Sequence, residues 1–348
     1  MADVWSAERT SPAAIEDGLR DLLQGGGHAA DRPSASARVL NMVAVVDWDR
    51  RGEIEDRLAR VGRYHPSRTI ICAVVPERTS LDASAAIEGS PGGVGLSHER
   101  VTIDVGARHL IHLDTIVDPI LVSGLTTIVW APHGHPEAVD SLLRLATVVL
   151  VDSTEQPDIA TSLARVSELA QRAYVVDLAW LRSTPWRERV AFTFDPAEWR
   201  PELERISVVT VRHRADSAVA ALLLVGWLSS RLGWAPTVLG PDGDRTLGGT
   251  AHAGGREVGI TLEAVEGIDV PGLAGVTLET TSGLEVSLDR APGGLSAKRR
   301  TPGGQSSEWT VLGASRGEGG ILGEGVRQAL LRDPTYRAAV AAARSMLP

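Results

Sequence analysis

The sequence predicts an α/β protein with two domains, the first built on a mostly parallel sheet with helices on both faces and the second carrying an antiparallel portion. The chain has 348 residues, which is enough for two domains of ordinary size. In its first half, continuous apolar runs alternate with helical patterns, as is typical of βαβ units in a sheet buried on both faces. In its second half, apolar and polar residues alternate between glycine-rich turns, which indicates antiparallel strands.

The first half is predicted to contain a short N-terminal segment, residues 1–36, and an N-terminal α/β domain, residues 37–155. Ser11 and Pro12 suit the start of a helix, and a run of glycines at 25–27 ends it and opens a linker. A Gly/Ser-rich break at 88–96 interrupts the domain. Its predicted strands are residues 38–47, 68–75, 100–105, 126–130 and 148–152, and its predicted helices are residues 50–61, 110–122 and 137–145.

The second half is predicted to contain a helical bridging region, residues 156–205, and a C-terminal α/β domain, residues 206–348. Four prolines divide the bridging region into short helices. The segment 217–232 is apolar on nearly all sides, which predicts a buried helix. The glycine-rich segments 240–255 and 292–304 are predicted to be exposed loops. The predicted strands are residues 206–211, 257–264, 276–281, 284–289 and 308–312, and helices at 320–331 and 334–346 close the chain.

Composition and charge limit the classes of partner. The chain has 44 acidic and 35 basic residues, a formal net charge of -9, which argues against a broad phosphate-binding surface for DNA or RNA. The longest apolar run in a predicted helix, 218–228, is far shorter than the roughly 20 residues that span a bilayer. The first ten residues do not resemble a secretory signal, and Cys72 is the single cysteine, so no intrachain disulfide can form. These features predict a cytoplasmic protein without nucleic-acid or membrane partners.

Motifs that would mark a nucleotide or metal site are absent or incomplete. No glycine-rich turn follows the first predicted strand, and the only lysine, Lys298, is followed by arginine, which excludes a phosphate-binding P-loop. Residues 98–102 begin like a metalloprotease motif but lack its second histidine. His133 and His135 have no third metal ligand near them in sequence, and the Asp-Trp-Asp tripeptide at 47–49 suits a solvated or capping role. We therefore predict no catalytic residue, no metal and no cofactor.

Residues 313–317 form a G-x-S-x-G pattern between a predicted strand and a predicted helix, where a nucleophilic serine could lie. In hydrolases with this motif the catalytic histidine follows the serine, and this chain has no histidine after His252. A serine hydrolase is therefore not predicted. The turn could instead bind a phosphate or carboxylate through backbone N–H groups, or simply lead into the helix. The members of this candidate anion-binding loop are Gly313, Ser315, Arg316 and Gly317.

A succession of short segments resembles one protein family. His-Pro-Ser-Arg-Thr stands at 65–69, after the first predicted strand and a short helix. Further segments of the same kind lie in both halves of the chain, at 97–101, 117–121, 151–153, 178–187 and 221–234. In this order and spacing they resemble OpcA, the glucose-6-phosphate dehydrogenase assembly protein family.

The resemblance implies a non-catalytic protein that binds glucose-6-phosphate dehydrogenase and promotes its oligomerisation or activity in the oxidative pentose phosphate pathway. Such a protein needs a partner-binding surface, and tryptophan and arginine are frequent anchors of protein interfaces. The residues predicted to contact the partner are His65, Ser67, Arg68, Thr69, Trp180, Trp186 and Arg187.

These residues and this function have alternatives. The tryptophans can instead join the two domains, and the segment 65–69 can cap one helix and start the next strand. The alternative function is an enzyme that binds a sugar phosphate or a nucleotide sugar at the strand ends of the parallel sheet. The sequence neither predicts nor excludes self-association.

Overall fold

The chain folds into two units, each built on one sheet. The structure, a computed structural model, describes residues 3–25, 38–62, 66–89, 97–156, 158–312 and 318–348. Unit 1 comprises residues 1–151, 171–176 and 322–331, and unit 2 comprises residues 152–170, 177–321 and 332–348. The chain therefore passes from one unit to the other after residues 151, 170, 176, 321 and 331.

Unit 1 is organised around an eight-stranded sheet with the order β1-β4-β5-β3-β2-β6-β7-β8. Strands β2, β3, β5, β6 and β7 pair in parallel, and β1 and β4 extend the sheet with antiparallel pairing. The strands are β1 (Asp3–Thr10), β2 (Leu40–Asp47), β3 (Ser67–Val74), β4 (Leu81–Gly89), β5 (Ser97–Val105), β6 (Thr126–Trp130), β7 (Val148–Val151) and β8 (Tyr174–Asp177).

Helices cover both faces of the parallel part of this sheet. Four of them are α1 (Pro12–Gly25), α2 (Arg51–Gly62), α3 (Leu113–Val117) and α4 (Pro136–Leu142). Helices α1, α3 and α4 pack their apolar residues onto the face that contains Val43 and Val45. Leu58 and Val61 of α2 lie beside Met42, whose side chain points to the opposite face. Strands β2 and β3 are therefore buried on both sides, which explains their apolar runs at residues 42–46 and 70–74.

Unit 2 is organised around a nine-stranded, mostly antiparallel sheet with the order β10-β12-β13-β9-β14-β15-β16-β17, with β11 paired to β12. Strands β13 and β9 pair in parallel. The strands are β9 (Ile206–Arg214), β10 (Ala235–Pro236), β11 (Gly240–Pro241), β12 (Thr246–Ala253), β13 (Arg256–Val265), β14 (Leu273–Thr280), β15 (Glu285–Ala291), β16 (Gly294–Arg300) and β17 (Ser306–Leu312).

Helix α8 (Ala218–Leu232) packs against α6 (Leu178–Arg182) and α10 (Tyr336–Ser345) in unit 2. The other helices in the described ranges are α5 (Ile159–Arg172), α7 (Thr184–Phe194) and α9 (Glu318–Leu331). Helix α8 is buried almost throughout, as its apolar sequence predicts. At Gly226 a Cβ atom would overlap the carbonyl oxygen of Ala339 in α10. The absence of a side chain at this position lets the two helices lie in direct contact.

Several predicted elements are wrong. Strands β1 and β4 lie where no strand is predicted, and β8 interrupts the bridging region that is predicted to be helical. The segments 240–255 and 292–304 are not loops, because they contain β12 and β16. The helix predicted at 110–122 is instead a series of short turns around α3, the last of which contains Pro119.

The predicted fold class is confirmed in both units. A mostly parallel sheet with helices on both faces lies in the first half, and a largely antiparallel sheet lies in the second. Within the described ranges, no helix is both long enough and apolar enough to cross a membrane.

Candidate functional site

Arg68 lies in a buried ion-pair cluster at the amino ends of the parallel strands. Its Nε atom donates to Oε2 of Glu99 at 2.7 Å, and its Nη1 atom donates to the carbonyl oxygen of Ile120 at 2.7 Å. Arg38 pairs with the other oxygen of the same carboxylate, which is fully buried. Arg68 itself is 7 % exposed. Its guanidinium therefore joins β3, β5 and the turn after α3, a role that suits a planar cation with several donors.

The other residues predicted around Arg68 are also internal where the structure describes them. Ser67 and Thr69 are buried, their hydroxyl oxygens are 3.3 Å apart, and Thr69 Oγ1 lies 3.4 Å from Nε2 of His98. His65 lies outside the described residues. Contact of this segment with a partner stays a prediction, because no comparison tests it.

The carboxyl ends of β2 and β6 meet at the topological switch point, where open parallel sheets bind dinucleotides. Here the backbone N–H of Asp47 donates to Nδ1 of His133 at 3.1 Å, and Nε2 of His135 lies 2.9 Å from Oδ1 of Asp47. Burial lowers the pKa of His133, although the charge of Asp47 opposes this effect. Asp47 therefore binds both histidines, His133 through its backbone N–H and His135 through its carboxylate.

These residues do not fit a dinucleotide. A pyrophosphate binds to free N–H groups and a favourable dipole at a helix start, but α2 follows a turn that carries Asp49 and has Glu53 in its own first turn. Together with Asp47, these carboxylates offset the cations of Arg50 and Arg51 in the same turn, so the helix start has no net positive charge to attract a diphosphate. No three Asp, Glu, His or Cys residues in the described part of the chain are placed to hold a metal ion.

Three buried or half-buried carboxylates lie where the chain enters unit 2. Asp152 accepts two hydrogen bonds from Arg182, at 2.9 and 2.7 Å. Asp177 accepts from the hydroxyl of Tyr336 at 2.7 Å and from two backbone N–H groups, those of Ser153 and Ala179. We call Asp152, Asp177, Asp333 and their partners the entry cluster.

Asp333 completes the entry cluster by holding Trp180 and Arg187. The indole Nε1 of Trp180 donates to Asp333 at 2.8 Å, and Nη1 of Arg187 lies 3.5 Å from the same carboxylate oxygen. The guanidinium of Arg187 stacks 3.4 Å from the centroid of the Trp180 ring, which also packs 5.4 Å from the ring of Tyr336. Burial lowers the pKa of Arg187 to about 10, although Asp333 opposes this. Arg187 is therefore still a cation at neutral pH.

The pKa values of the two neighbouring carboxylates in the entry cluster shift in opposite directions. Burial, and then the charge of Asp152, raises the pKa of Asp177 above its ordinary value of 3.8. Burial acts to raise the pKa of Asp152 as well. The hydrogen bonds and the charge of Arg182 have the larger combined effect, and the net result is a pKa below 3.8. Burial and the neighbouring Asp177 charge raise the pKa of Tyr336 well above 10.0. Of the two neighbouring carboxylates, Asp177 is thus the one that takes up a proton more easily.

Three predicted partner-binding residues lie inside unit 2. Trp180 and Trp186 are each 2 % exposed, and Arg187 is 8 % exposed. The ring of Trp186 lies 6.0 Å from the guanidinium of Arg290. Contact with a partner stays a prediction for these residues.

The candidate anion-binding loop lies outside the described residues; its members are Gly313, Ser315, Arg316 and Gly317. Sequence reasoning missed Asp177, Asp333 and Tyr336, which bond to partners far away in sequence. No local signal could have found them.

Two family models match the chain in order. The first describes the N-terminal domain of a glucose-6-phosphate dehydrogenase subunit and matches residues 59–168. The second describes the C-terminal domain of the same kind of subunit and matches residues 173–340. The chain belongs to the OpcA family. The matched OpcA ranges contain Arg68 and Glu99 and all three carboxylates of the entry cluster.

Curated relatives in the OpcA family come from cyanobacteria. The chain is 30% identical over 240 residues to a Synechococcus elongatus protein named as an OpcA protein of the OxPP cycle, covering 68% of this chain and 48% of the relative. It is 28% identical over 229 residues to a protein of the same name from Nostoc punctiforme, covering 61% of this chain and 44% of the relative. The chain thus spans about half the length of the curated relatives it matches.

Solved structures show the same fold as this OpcA family member. An oxidoreductase from Sinorhizobium meliloti aligns with a TM-score of 0.53 at 12% identity, covering 88% of this chain and 95% of that one. The oxidoreductase yhhX aligns with a TM-score of 0.50 at 12% identity, covering 88% and 94%. At such low identity the likeness concerns the fold alone.

The variant Arg68→Ala should destabilise the protein. It leaves the buried Glu99 with Arg38 as its remaining arginine partner and frees the carbonyl oxygen of Ile120, so we expect a loss of about 3 kcal/mol. Chemical denaturation measures this loss. Arg60→Ala is the matched control, because Arg60 bonds to a backbone oxygen of its own helix at the surface. Equal stability of the two variants would contradict a structural role for Arg68.

The pKa of Asp177 predicts a pH dependence of stability. Because its folded pKa is raised, the folded state holds a proton that the unfolded state loses, and stability falls as pH rises from 3.8 through the folded value. Asp177→Asn cannot ionise and should gain stability relative to the wild type over this range. Tyr336→Phe removes a hydrogen bond that favours the ionised carboxylate, so it should raise the folded pKa further and extend the fall to higher pH. Unfolding curves at several pH values measure both, and a pH-independent difference for Asp177→Asn would contradict the assignment.

Proposed function

We propose that this chain is a non-catalytic assembly subunit that binds glucose-6-phosphate dehydrogenase and promotes its oligomerisation or activity in the oxidative pentose phosphate pathway. The observation that carries the proposal is the match to both domains of a glucose-6-phosphate dehydrogenase subunit, in order, across both units. The names of the cyanobacterial relatives, which refer to the OxPP cycle, agree with it.

The switch point of unit 1 also supports a role without catalysis. Asp47 binds both His133 and His135 where a dehydrogenase of this architecture would hold its dinucleotide. An assembly subunit needs no such pocket. It acts by binding one state of the enzyme better than the others, because a partner with equal affinity for two states shifts nothing.

The exposed side of α7 is the surface that we propose for the dehydrogenase. Phe192 is 66% exposed, and the guanidinium of Arg189 lies 5.9 Å from the centroid of its ring. Aromatic and arginine side chains are the ones that most often anchor an interface. Trp186 and Arg187 lie on the buried side of the same helix, and we assign them the role of holding α7 in place.

The alternative, an enzyme that binds a sugar phosphate or a nucleotide sugar, requires a phosphate site at the strand ends. At the switch point the carboxylates of Asp47 and Asp49 offset the cations of Arg50 and Arg51, so the turn has no excess positive charge for a phosphate. A thermal-shift screen with sugar phosphates and nucleotide sugars tests the alternative, and a concentration-dependent rise in melting temperature would favour it over an assembly subunit.

The proposal predicts that the purified chain alone has no dehydrogenase activity and changes that of its partner. Titration into glucose-6-phosphate dehydrogenase from the same organism should raise the rate or the substrate affinity, or shift the oligomer distribution in gel filtration. Phe192→Ala should weaken the complex about thirtyfold, which corresponds to the roughly 2 kcal/mol typical of an interface anchor. Its melting temperature should stay unchanged, because the ring is exposed.

Ile111→Ala is the matched control for this experiment. Ile111 is 60% exposed, so its truncation removes an apolar surface side chain of comparable exposure in unit 1. If the wild-type chain leaves rate, substrate affinity and oligomer distribution unchanged, the proposed function is wrong. If Phe192→Ala and Ile111→Ala both bind like the wild type, the function stands and the α7 surface is wrong.

A further inference from the structure

The nine-stranded sheet of unit 2 has one buried face and one open face. Buried residues such as Val209, Leu262 and Leu288 point to the side on which the helices pack, where α8 contacts β9 and β13 and α7 contacts β15. Because side chains alternate along a strand, the intervening residues point to the other side. Those residues are half-buried or exposed, apart from one glycine in the middle of the sheet. We call this side the open face.

The strand register arranges the open face in three straight rows across seven strands, from β12 to β17. The first row is Thr246, Glu263, Arg212, Gly275, Asp289, Ser296 and Thr310. The central row is Gly248, Thr261, Thr210, Thr277, Ser287, Lys298 and Glu308. The third row is Thr250, Gly259, Val208, Glu279, Glu285, Arg300 and Ser306.

The middle of the open face is flat. The four central positions of the middle row are three threonines and a serine, whose side chains are short. In the first row Arg212 donates to Asp289 at 2.8 Å across Gly275, where a Cβ atom would lie within 2.6 Å of both side chains. Because Gly275 has no side chain, this ion pair can pack directly against the backbone of β14. A flat face of short side chains suits packing against another flat sheet.

The open face has the area of a standard interface. Three rows about 6.8 Å apart and seven strands about 4.8 Å apart cover roughly 700 Å². A stable protein–protein interface buries about 800 Å² on each partner. A surface of this size is large enough for specific association, and all of it lies on a single sheet.

We propose that the open face is an interface between two copies of this chain. The two copies are related by a two-fold axis that lies between the two sheets and runs parallel to β14. Two sheets that pack face to face keep their strand directions within about 30° of each other, which such an axis allows. The face carries charges of both signs, and Arg212 and Asp289 lie where a second copy can pair each of them with the opposite charge.

The position of Arg212 and Asp289 supports this axis. β9 and β15 are the two neighbours of β14, and Arg212 and Asp289 flank Gly275 in the same row. A two-fold rotation about the proposed axis therefore exchanges their positions and sets Arg212 of each copy opposite Asp289 of the other. In the central row, the same rotation sets Thr210 opposite Ser287. The inner part of the interface then contains two ion pairs between Arg212 and Asp289, a set of hydroxyl groups and, in the third row, Glu279 opposite its own copy.

The proposed axis also predicts one unfavourable contact, between the two copies of Glu279. It lies on β14 and is exposed, so the two-fold axis brings it near its own copy, where two negative charges repel. Glu279→Gln removes the repulsion and should strengthen the association. A carboxylate on the axis opposes assembly, and this distinguishes the proposed axis from one along another strand.

Charge reversal in each copy tests the interface. Sedimentation velocity of the full-length chain, without dehydrogenase, should show a dimer with a Kd of about 1 µM or below. Arg212→Asp alone places two like charges at each contact and should weaken the dimer at least tenfold, and Asp289→Arg alone should do the same. An equimolar mixture of the two variants should recover the dimer, because each contact then joins opposite charges.

The mixture separates an interface from a purely internal role. The ion pair within each copy is broken in both variants, so recovery on mixing can come only from contacts between copies. Arg20→Asp, the same charge change on an exposed residue of α1, is the control and should not alter association. The proposal is overturned by a wild-type chain that is monomeric at about 100 µM, by variants that dimerise like the wild type, or by a folded mixture that stays monomeric. None of these results depends on the proposed function.

Discussion

The ion pair between Asp152 and Arg182 joins the first residue of unit 2 to the end of α6, and the arrangement of α6 and α7 depends on it. Both side chains are buried, so each charge needs the other to compensate for the loss of water. The charge of Asp152 raises the pKa of Asp177. Asp177 also caps α6, because its carboxylate accepts a hydrogen bond from the backbone N–H of Ala179. Without the cation of Arg182, two carboxylates would lie buried together.

The rest of the entry cluster extends this constraint to the C-terminal part of the chain. Tyr336 reaches Asp177, and Asp333 reaches Trp180, so the residues that re-enter unit 2 after position 331 bind to the same short helix as those that enter after positions 151 and 176. Arg187 then stacks on Trp180 and fixes the start of α7. The exposed side of α7, where we place the dehydrogenase, is therefore presented by a helix that is held at several points on its buried side.

The sequence alone predicts those strands and helices in which nearly every residue is buried. Strand β3 is buried throughout, strand β2 and helix α8 are buried along most of their length, and the long apolar runs in all three predict this burial directly. Strand β4 is rich in alanine and β12 contains two adjacent glycines, so each carries few of the branched residues that mark a strand. Their pairing depends on neighbouring strands that lie elsewhere in the sequence.

For the candidate site, too, the sequence predicts some features and not others. The family-like segments identify Arg68, Trp186 and Arg187, but sequence alone cannot separate an exposed anchor from a buried one, since both use tryptophan and arginine. Exposure of Phe192 could not be predicted from a helix whose apolar residues lie on more than one side. The hydrogen bonds of the entry cluster join positions as far apart as Asp177 and Tyr336, and no local pattern marks such pairs.

Hydrogen exchange at individual amides tests whether the entry cluster is a single cooperative unit. The variant Arg182→Met removes the cation beside Asp152 and keeps an apolar side chain of similar length. The account predicts that the amides of Ser153, Ala179 and Thr335, which donate to Asp177 or Asp333, exchange at least about tenfold faster together. Faster exchange confined to the amide of Thr154, which donates to Asp152 itself, would contradict it.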